Sequence, residues 1–273
     1  MMKPYDYQPL GPAGTGGEAE VVRARHLPSG RIVMLKLWNA PATPILLERL
    51  SREVELSRRQ NHPGLVRLLE CGMFGRRPCQ VMEMVEGRSL EEVLHDAPLP
   101  VRQSVTLAHD LATTLALLHR DGVVHRDVKP GNIMIRPDGG AVLMDLGGAA
   151  LSPEDMAPGA DMVGTPAAMA PEIIADQPAD GRADVFSLGV VLYRMLTGRR
   201  PFWGDPTELA AAIRTHHPPP PASVNAGTGP ALNAVVMACL DKTPGRRPTA
   251  EQLQDQLAAL RPQDHPGEIP APR

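Results

Sequence analysis

The chain has 273 residues, 42% of them apolar and 22% charged, with a net charge of −3. That length exceeds one ordinary core and predicts one large or two smaller lobes, while the lack of a clustered basic excess offers nothing to nucleic acid or an anionic membrane surface. No apolar run approaches the roughly 18 residues of a membrane span, the N-terminus has no secretion signal, and Cys71, Cys79 and Cys239 fit no metal spacing, so a soluble protein of the reducing cytoplasm is expected.

Residues 1–86 read as β-rich with one helix. After the glycine-rich Gly14-Thr15-Gly16-Gly17, residues 21–25 are a short β-prone run and 31–37 a second strand, joined through Leu27-Pro28-Ser29-Gly30. Residues 44–60 form a charged amphipathic helix with Leu46, Leu50 and Val54 four apart, stopped by Asn61-His62-Pro63-Gly64. Residues 66–69 and 80–85 are further strands. Beyond Gly87 the pattern turns helical, over 89–94, 101–120, 182–196, 206–215, 230–240 and 250–260. His216-His217 and the four prolines after them read as an inter-helix connection. The chain therefore divides into 1–86, 87–261 and a Pro-rich tail, 262–273, expected to be disordered.

Several positions carry chemistry. Glycine at 14 and 16 lets backbone N–H groups approach a polyphosphate without a Cβ in the way. A strand rather than a helix follows, and no acid stands about 20 residues on, which argues against a dinucleotide fingerprint. Lys36 is nearly the only charge in the apolar strand 32–37, a costly placement unless it meets an anion. Glu53 in mid-helix and the phosphates of ATP are the expected anions. The stretch from His125 to Asn132 follows a long helix and precedes the apolar Ile133-Met134-Ile135, so its polar residues lie in a loop beside a strand. There Asp127 can accept the proton of an attacking hydroxyl and Lys129 can neutralise a transferring phosphoryl group. Asn132 and, further on, Asp145 offer oxygens to a hard cation.

In their order and spacing these motifs resemble the Hanks-type serine/threonine protein kinases, over about residues 8–260. The resemblance implies a bilobal α+β kinase fold that uses ATP with Mg²⁺ or Mn²⁺ and acts on protein Ser/Thr hydroxyls. It implies that Gly14 and Gly16 cover the phosphates, that Val21, Met34 and Met134 line the adenine site, and that Met82 is the gatekeeper. Backbone groups of Glu83 and Val85 would hold adenine, Lys36 would pair with Glu53, Asp127 and Lys129 would be catalytic, and Asn132 and Asp145 would bind metal. Asp184 would anchor the catalytic-loop backbone and Glu172 would pair with Arg247. Lys129, and Thr165 in the docking turn, mark serine/threonine specificity.

The chain departs from the family pattern at several places. Ala19 stands for the third loop glycine and implies a stiffer phosphate cover. Met34 stands for the alanine above adenine, so two thioethers are expected to flank the base. Ser57, four residues after Glu53, replaces a hydrophobe that would pack on Leu146, so weaker packing and a less secure Lys36–Glu53 pair are expected. Arg126 normally answers a phosphothreonine at the position of Asp161. That aspartate, with Glu154 or Asp155, is expected either to supply a fixed charge to Arg126 or to be an exposed loop residue. The alternatives are a nucleotide-binding pseudokinase and a small-molecule kinase. Substrate proteins and a separate regulatory protein are the expected partners, with the oligomeric state left open.

Overall fold

The structure, a computed structural model, describes residues 3–15, 19–60, 62–150, 153–157 and 166–261. The first part of the chain builds β1 (Tyr7–Thr15), β2 (Ala19–His26), β3 (Ile32–Trp38), the helix α1 (Pro44–Gln60), β4 (Leu68–Phe74) and β5 (Arg77–Glu83). The strands form one antiparallel sheet in the order β1-β2-β3-β5-β4. β1 has no alternating signal in the sequence because Pro9, Gly11, Pro12 and Gly14 interrupt it. It survives as an edge strand, where a missing N–H costs least, and its register shifts at Pro9/Gly11 and Pro12/Gly14 absorb the breakers.

α1 runs over the residues its periodicity predicts, and Leu50 and Val54 are buried. The strand expected at 66–69 begins later, at Leu68, for a topological reason. Leu65 bridges Leu143, Val66 N–H donates to Leu143 O (2.9 Å) and Leu143 N–H donates to Gly64 O (2.8 Å). Residues 64–66 thus leave the first sheet to meet the second. β5 likewise lies a few residues earlier than expected.

The second part contains β6 (Arg88–Ser89), α2 (Leu90–Asp96), α3 (Val101–Arg120), β7 (Ile133–Ile135), β8 (Ala141–Leu143) and α4 (Pro171–Ile174). It ends with α5 (Arg182–Thr197), α6 (Pro206–Thr215), α7 (Pro221–Val224), α8 (Pro230–Cys239) and α9 (Ala250–Leu260). Reciprocal capping boxes start α2 (Ser89/Glu92), α6 (Asp205/Glu208) and α9 (Thr249/Gln252), which explains why those helices begin where the sequence says they should. With few aromatics, the core rests on Leu107, Leu111, Leu115 and Leu118 of α3 against Phe186, Leu188, Val191 and Met195 of α5. The same cluster continues through Leu143 and Leu146 to Val54, Leu68 and Met82, so one apolar core joins both parts. Where the chain crosses between them, Gly87 has φ +138°, and a Cβ there would lie 2.0 Å from Ile135 O. Only glycine permits that approach. The β-rich first part and helical second part make the expected α+β bilobal arrangement.

The helix α4 is tied to the turn before α9 by one buried pair. Arg247 donates from Nη1 and Nη2 to the two Glu172 oxygens at 2.6 and 2.7 Å, and both residues are 3% exposed. Arg247 Nε also donates to Asp241 O (2.7 Å), and its guanidinium lies 4.9 Å from the Phe186 ring. Removing one partner strands the other charge in the core. Arg247→Met is therefore expected to lower unfolding free energy by about 3–5 kcal/mol in chemical denaturation, and the double variant Arg247→Met/Glu172→Leu to recover much of that loss.

Candidate active site

Asp184, fully buried on α5, organises the catalytic loop. It accepts from His125 N–H and Arg126 N–H, both at 2.8 Å, and from His119 Nε2 at 2.8 Å. Burial alone would raise its carboxyl, but the His119 ring and the other donors leave it below its ordinary value. Held this way, Arg126 takes a left-handed φ of 64°, which directs the loop out toward the second sheet. His119 was not singled out from sequence. A histidine in the last turn of a long apolar helix was its one signal.

The loop brings Asp127, Lys129 and Asn132 together. Lys129 Nζ lies 2.7 Å from Asp127 Oδ2, and Asn132 Nδ2 donates to Asp127 Oδ2 (2.7 Å) and to Asp127 O (3.0 Å). Asn132 O accepts from Met144 N–H (2.8 Å), which places the catalytic loop beside the strand end that carries Asp145. Asp145 adopts φ 62°, ψ 89° and accepts from Gly147 N–H at 3.0 Å. Because the Asn132 amide N–H groups are spent on Asp127, its carboxamide oxygen is left for a ligand. Together with the Asp145 carboxylate this is a hard, oxygen-only set of the kind Mg²⁺ or Mn²⁺ takes. No cluster of three His, Cys, Asp or Glu occurs among the described residues, so such a cation would complete its shell with phosphate and water oxygens.

Lys36 does not pair with Glu53, contrary to expectation. Its ammonium lies 2.5 Å from Asp145 Oδ1. Glu53, completely buried, instead accepts from Gln80 Nε2 (2.7 Å) and has Arg49 Nε at 3.3 Å. Arg49 also donates from Nη2 to Gly147 O. The reason is geometric: Gln80 is the cross-strand neighbour of Lys36 on β5, and Arg49 is one helical turn before Glu53, so both reach the carboxylate first. Their signals were available, in a polar residue within an apolar strand and in an i,i+4 pair. Burial holds Asp145 up less than Lys36 and the Gly147 N–H pull it down, so it stays ionised.

Ser57 also behaves differently from the expected weak point. Buried, it donates to Val66 O (3.2 Å) and accepts from Leu68 N–H (2.8 Å). Leu146 is buried in the main core regardless. A polar clamp, not a gap, fastens α1 to β4.

Around the nucleotide cleft, Met34 and Met82 are cross-strand neighbours, Val21 pairs with Lys36, and Gly14 pairs with Val21. Met82 is buried; Met34 and Met134 are half-buried against the same core. Glu83 N–H donates to Arg67 O (2.9 Å), which leaves only its carbonyl for adenine, whereas Val85 N–H has no backbone acceptor among the described residues. Arg126 donates from Nε to Gly148 O (2.6 Å) and from Nη1 to Asp155 O (2.8 Å). So Asp155 meets Arg126 through its backbone. Gly16, Asp161 and Thr165 lie outside the described residues.

The protein kinase domain family matches residues 7–257. The chain belongs to that family. It is 36% identical over 269 residues to Serine/threonine-protein kinase PknB of Mycolicibacterium smegmatis, covering 94% of this chain and 42% of the relative. The PknB of Mycobacterium leprae is 35% identical over 268 residues with the same coverage. Serine/threonine-protein kinase pkn2 of Myxococcus xanthus is 35% identical over 266 residues, 93% of this chain and 32% of the relative. The chain spans less than half the length of these curated relatives. The Hanks-type resemblance read from the motifs is borne out, and the family uses ATP with a divalent metal. Among the described residues no helix is long and apolar enough to cross a membrane.

Burial raises Glu53 to about 7, against the pull of Gln80, Arg49 and Lys36. An acid whose pKa rises on folding keeps its proton longer in the folded chain than in the unfolded one. Stability therefore falls as pH climbs from about 4.5 to about 7 and levels off above. His62, lowered by burial, adds a pH dependence of its own, so the informative quantity is the difference from Glu53→Gln. Denaturation at pH 5 to 8.5 is expected to show wild type losing up to about 3 kcal/mol relative to Glu53→Gln across that interval.

Proposed function

We propose that this chain is a protein serine/threonine kinase that transfers the γ-phosphoryl group of ATP to protein hydroxyls. The observation that carries it is the gathering of Asp127, Lys129 and Asn132 into one hydrogen-bonded set, joined through Met144 to Asp145 and its 2.5 Å contact with Lys36. Residues 1–86 hold the nucleotide, with the Glu83 carbonyl and Val85 N–H at the adenine edge, Val21, Met34 and Met134 at its faces, Met82 behind it and Gly14 and Gly16 over the phosphates. Residues 87–261 hold the catalytic loop and the protein substrate. Asn132 and Asp145 bind the metal, Mg²⁺ or Mn²⁺.

Magnesium ATP, when bound, supplies the phosphoryl group and partly neutralises its charge. Asp127 orients the substrate hydroxyl and accepts its proton, while its hydrogen bond from Asn132 keeps the carboxylate aimed. Lys129, already beside Asp127, balances charge as the phosphoryl group arrives. With Asp145 holding the metal, Lys36 would be free to hold phosphate oxygens and to meet Glu53. Positioning and charge balance provide most of the acceleration. The supply of ATP and the three free cysteines fit action in the cytoplasm. Mapping phosphorylated residues after incubation with Mg²⁺-ATP is expected to give phosphoserine and phosphothreonine and no phosphotyrosine. Asp127→Ala is expected to lower the rate at least about a hundredfold. Transfer at full rate by Asp127→Ala would sink the assignment.

A second reading, nucleotide binding without transfer, is favoured by one observation: Glu53 is engaged by Gln80 and Arg49 rather than by Lys36. Bound nucleotide with no phosphorylated product, in Mg²⁺ and in Mn²⁺, would decide for it.

Control of this site follows from Arg126, whose guanidinium is bound to backbone carbonyls at 148 and 155. Asp161 supplies the charge that a phosphothreonine would otherwise bring to it, so activity does not depend on phosphorylation of the segment. Asp161→Ala is expected to reduce kcat several-fold, with Asp161→Glu close to wild type. An unchanged kcat in Asp161→Ala would remove this part of the reading.

A further inference from the structure

Lys36 and Trp38 of β3 are two residues apart and so lie on one face of the strand. The Lys36 ammonium lies 4.4 Å from the centre of the Trp38 ring, within the range of cation–π attraction. Trp38 is 8% exposed and forms a small buried cluster with Ala19 and with Leu50 of α1. Ala19 is its cross-strand partner at the start of β2. At its far edge the indole meets the Asp145 segment: a Cβ on Gly147 would lie 3.2 Å from Trp38 Cη2 and 3.2 Å from Lys36 Nζ. Arg77 pins this strand end, donating to Trp38 O (3.2 Å) and Leu37 O (2.7 Å) while pairing with Glu20 of β2 (2.7 Å). The indole Nε1 is buried without a hydrogen-bond partner among the described residues, a cost that apolar packing alone would avoid with a leucine or phenylalanine.

We propose that Trp38 is a positioning residue for Lys36, and that with Ala19 and Leu50 it forms a wall linking the start of β2, the lysine and helix α1. Two groups compensate the Lys36 charge here, the Asp145 carboxylate and the indole face. A metal held by Asp145 would occupy the first. The ring stays, and keeps the ammonium beside the phosphates while Lys36 changes anionic partners. The methyl of Ala19, where the family has glycine, lies in the same cluster, so the alanine and the tryptophan are a matched pair rather than two separate departures. This inference rests on the proposed nucleotide site.

The test uses the chain's only two tryptophans. Trp203 is 69% exposed, and Trp203→Phe leaves Trp38 as the sole emitter. Mg²⁺-ADP is expected to shift Trp38 emission with a midpoint matching its calorimetric Kd, whereas adenosine, lacking phosphates, leaves it unchanged. Trp38→Leu is expected to raise the ATP KM between about twofold and thirtyfold without altering the peptide KM, and Trp38→Phe to return most of the loss. Ala19→Gly raises the ATP KM in the Trp38 protein and adds nothing in the Trp38→Leu background. Thermal melts check folding; should Trp38→Leu not fold, the emission experiment and Trp38→Phe still decide. Equal emission changes with adenosine, an unchanged ATP KM in Trp38→Leu, or additive Ala19 and Trp38 effects would each overturn the inference while leaving the nucleotide site intact. Absence of calorimetric Mg²⁺-ADP binding to the unsubstituted chain would overturn the site itself, and the inference with it.

Discussion

A single buried carboxylate, Asp184, takes three donors from the end of α3 and the start of the catalytic loop, and the geometry of the site depends on that bond set. The loop needs it because Arg126 sits at φ 64°, a conformation that costs a non-glycine residue about 1 kcal/mol or more. Two N–H groups aimed at one anion offset that strain and leave the loop a single shape. Asp127, one residue later, inherits its direction, and Asn132 and Lys129 then close on it from the far side of the turn. An anion without hydrogen-bond donors could not be buried in this position. The histidine and the two backbone donors make the carboxylate tolerable, and the carboxylate makes the loop.

The nucleotide-facing side is organised by competition instead. Lys36 has Asp145 at 2.5 Å and the indole of Trp38 at 4.4 Å, whereas Glu53 is held by Gln80 and Arg49. The lysine and the glutamate are thus each satisfied by partners other than one another. A buried glutamate raised to about 7 is half-protonated near neutrality, which weakens its claim on any cation. So the resting arrangement is stable because the strongest acid nearby, Asp145, takes the lysine first.

Much of this was legible in the sequence, and what was not has physical causes. Helices with apolar periodicity, such as 101–120 and, with its capping box, 250–260, kept their bounds because local propensity and burial agree there. Asp127, Asn132 and Asp145 were legible because chemistry requires those side chains at those spacings. β1 was missed because an edge strand tolerates prolines and glycines that erase alternation. The Lys36–Glu53 pair is not what this structure shows, because a motif names the residues but not the competitors that tertiary packing brings, here Arg49 and Gln80. Trp38 and His119 carry no motif at all; their importance comes from what folds against them.

Ser57 is the clearest case of a sequence signal with its sign reversed. A hydroxyl in place of a hydrophobe suggests a loosened helix α1. Yet the hydroxyl spans Val66 O and Leu68 N–H, and Val66 N–H in turn bonds Leu143 O on β8, two residues before Asp145. A hydrophobe at this position would pack by shape alone and could slide; a hydroxyl bonded to two backbone groups is directional and cannot move without leaving both unsatisfied in the core. The clamp therefore fixes the end of α1 to the strand that carries Asp145, while Arg49 holds the middle of the helix to Gly147 just beyond it. Arg49 and Ser57 thus anchor α1 on either side of Glu53, whose carboxylate faces Gln80.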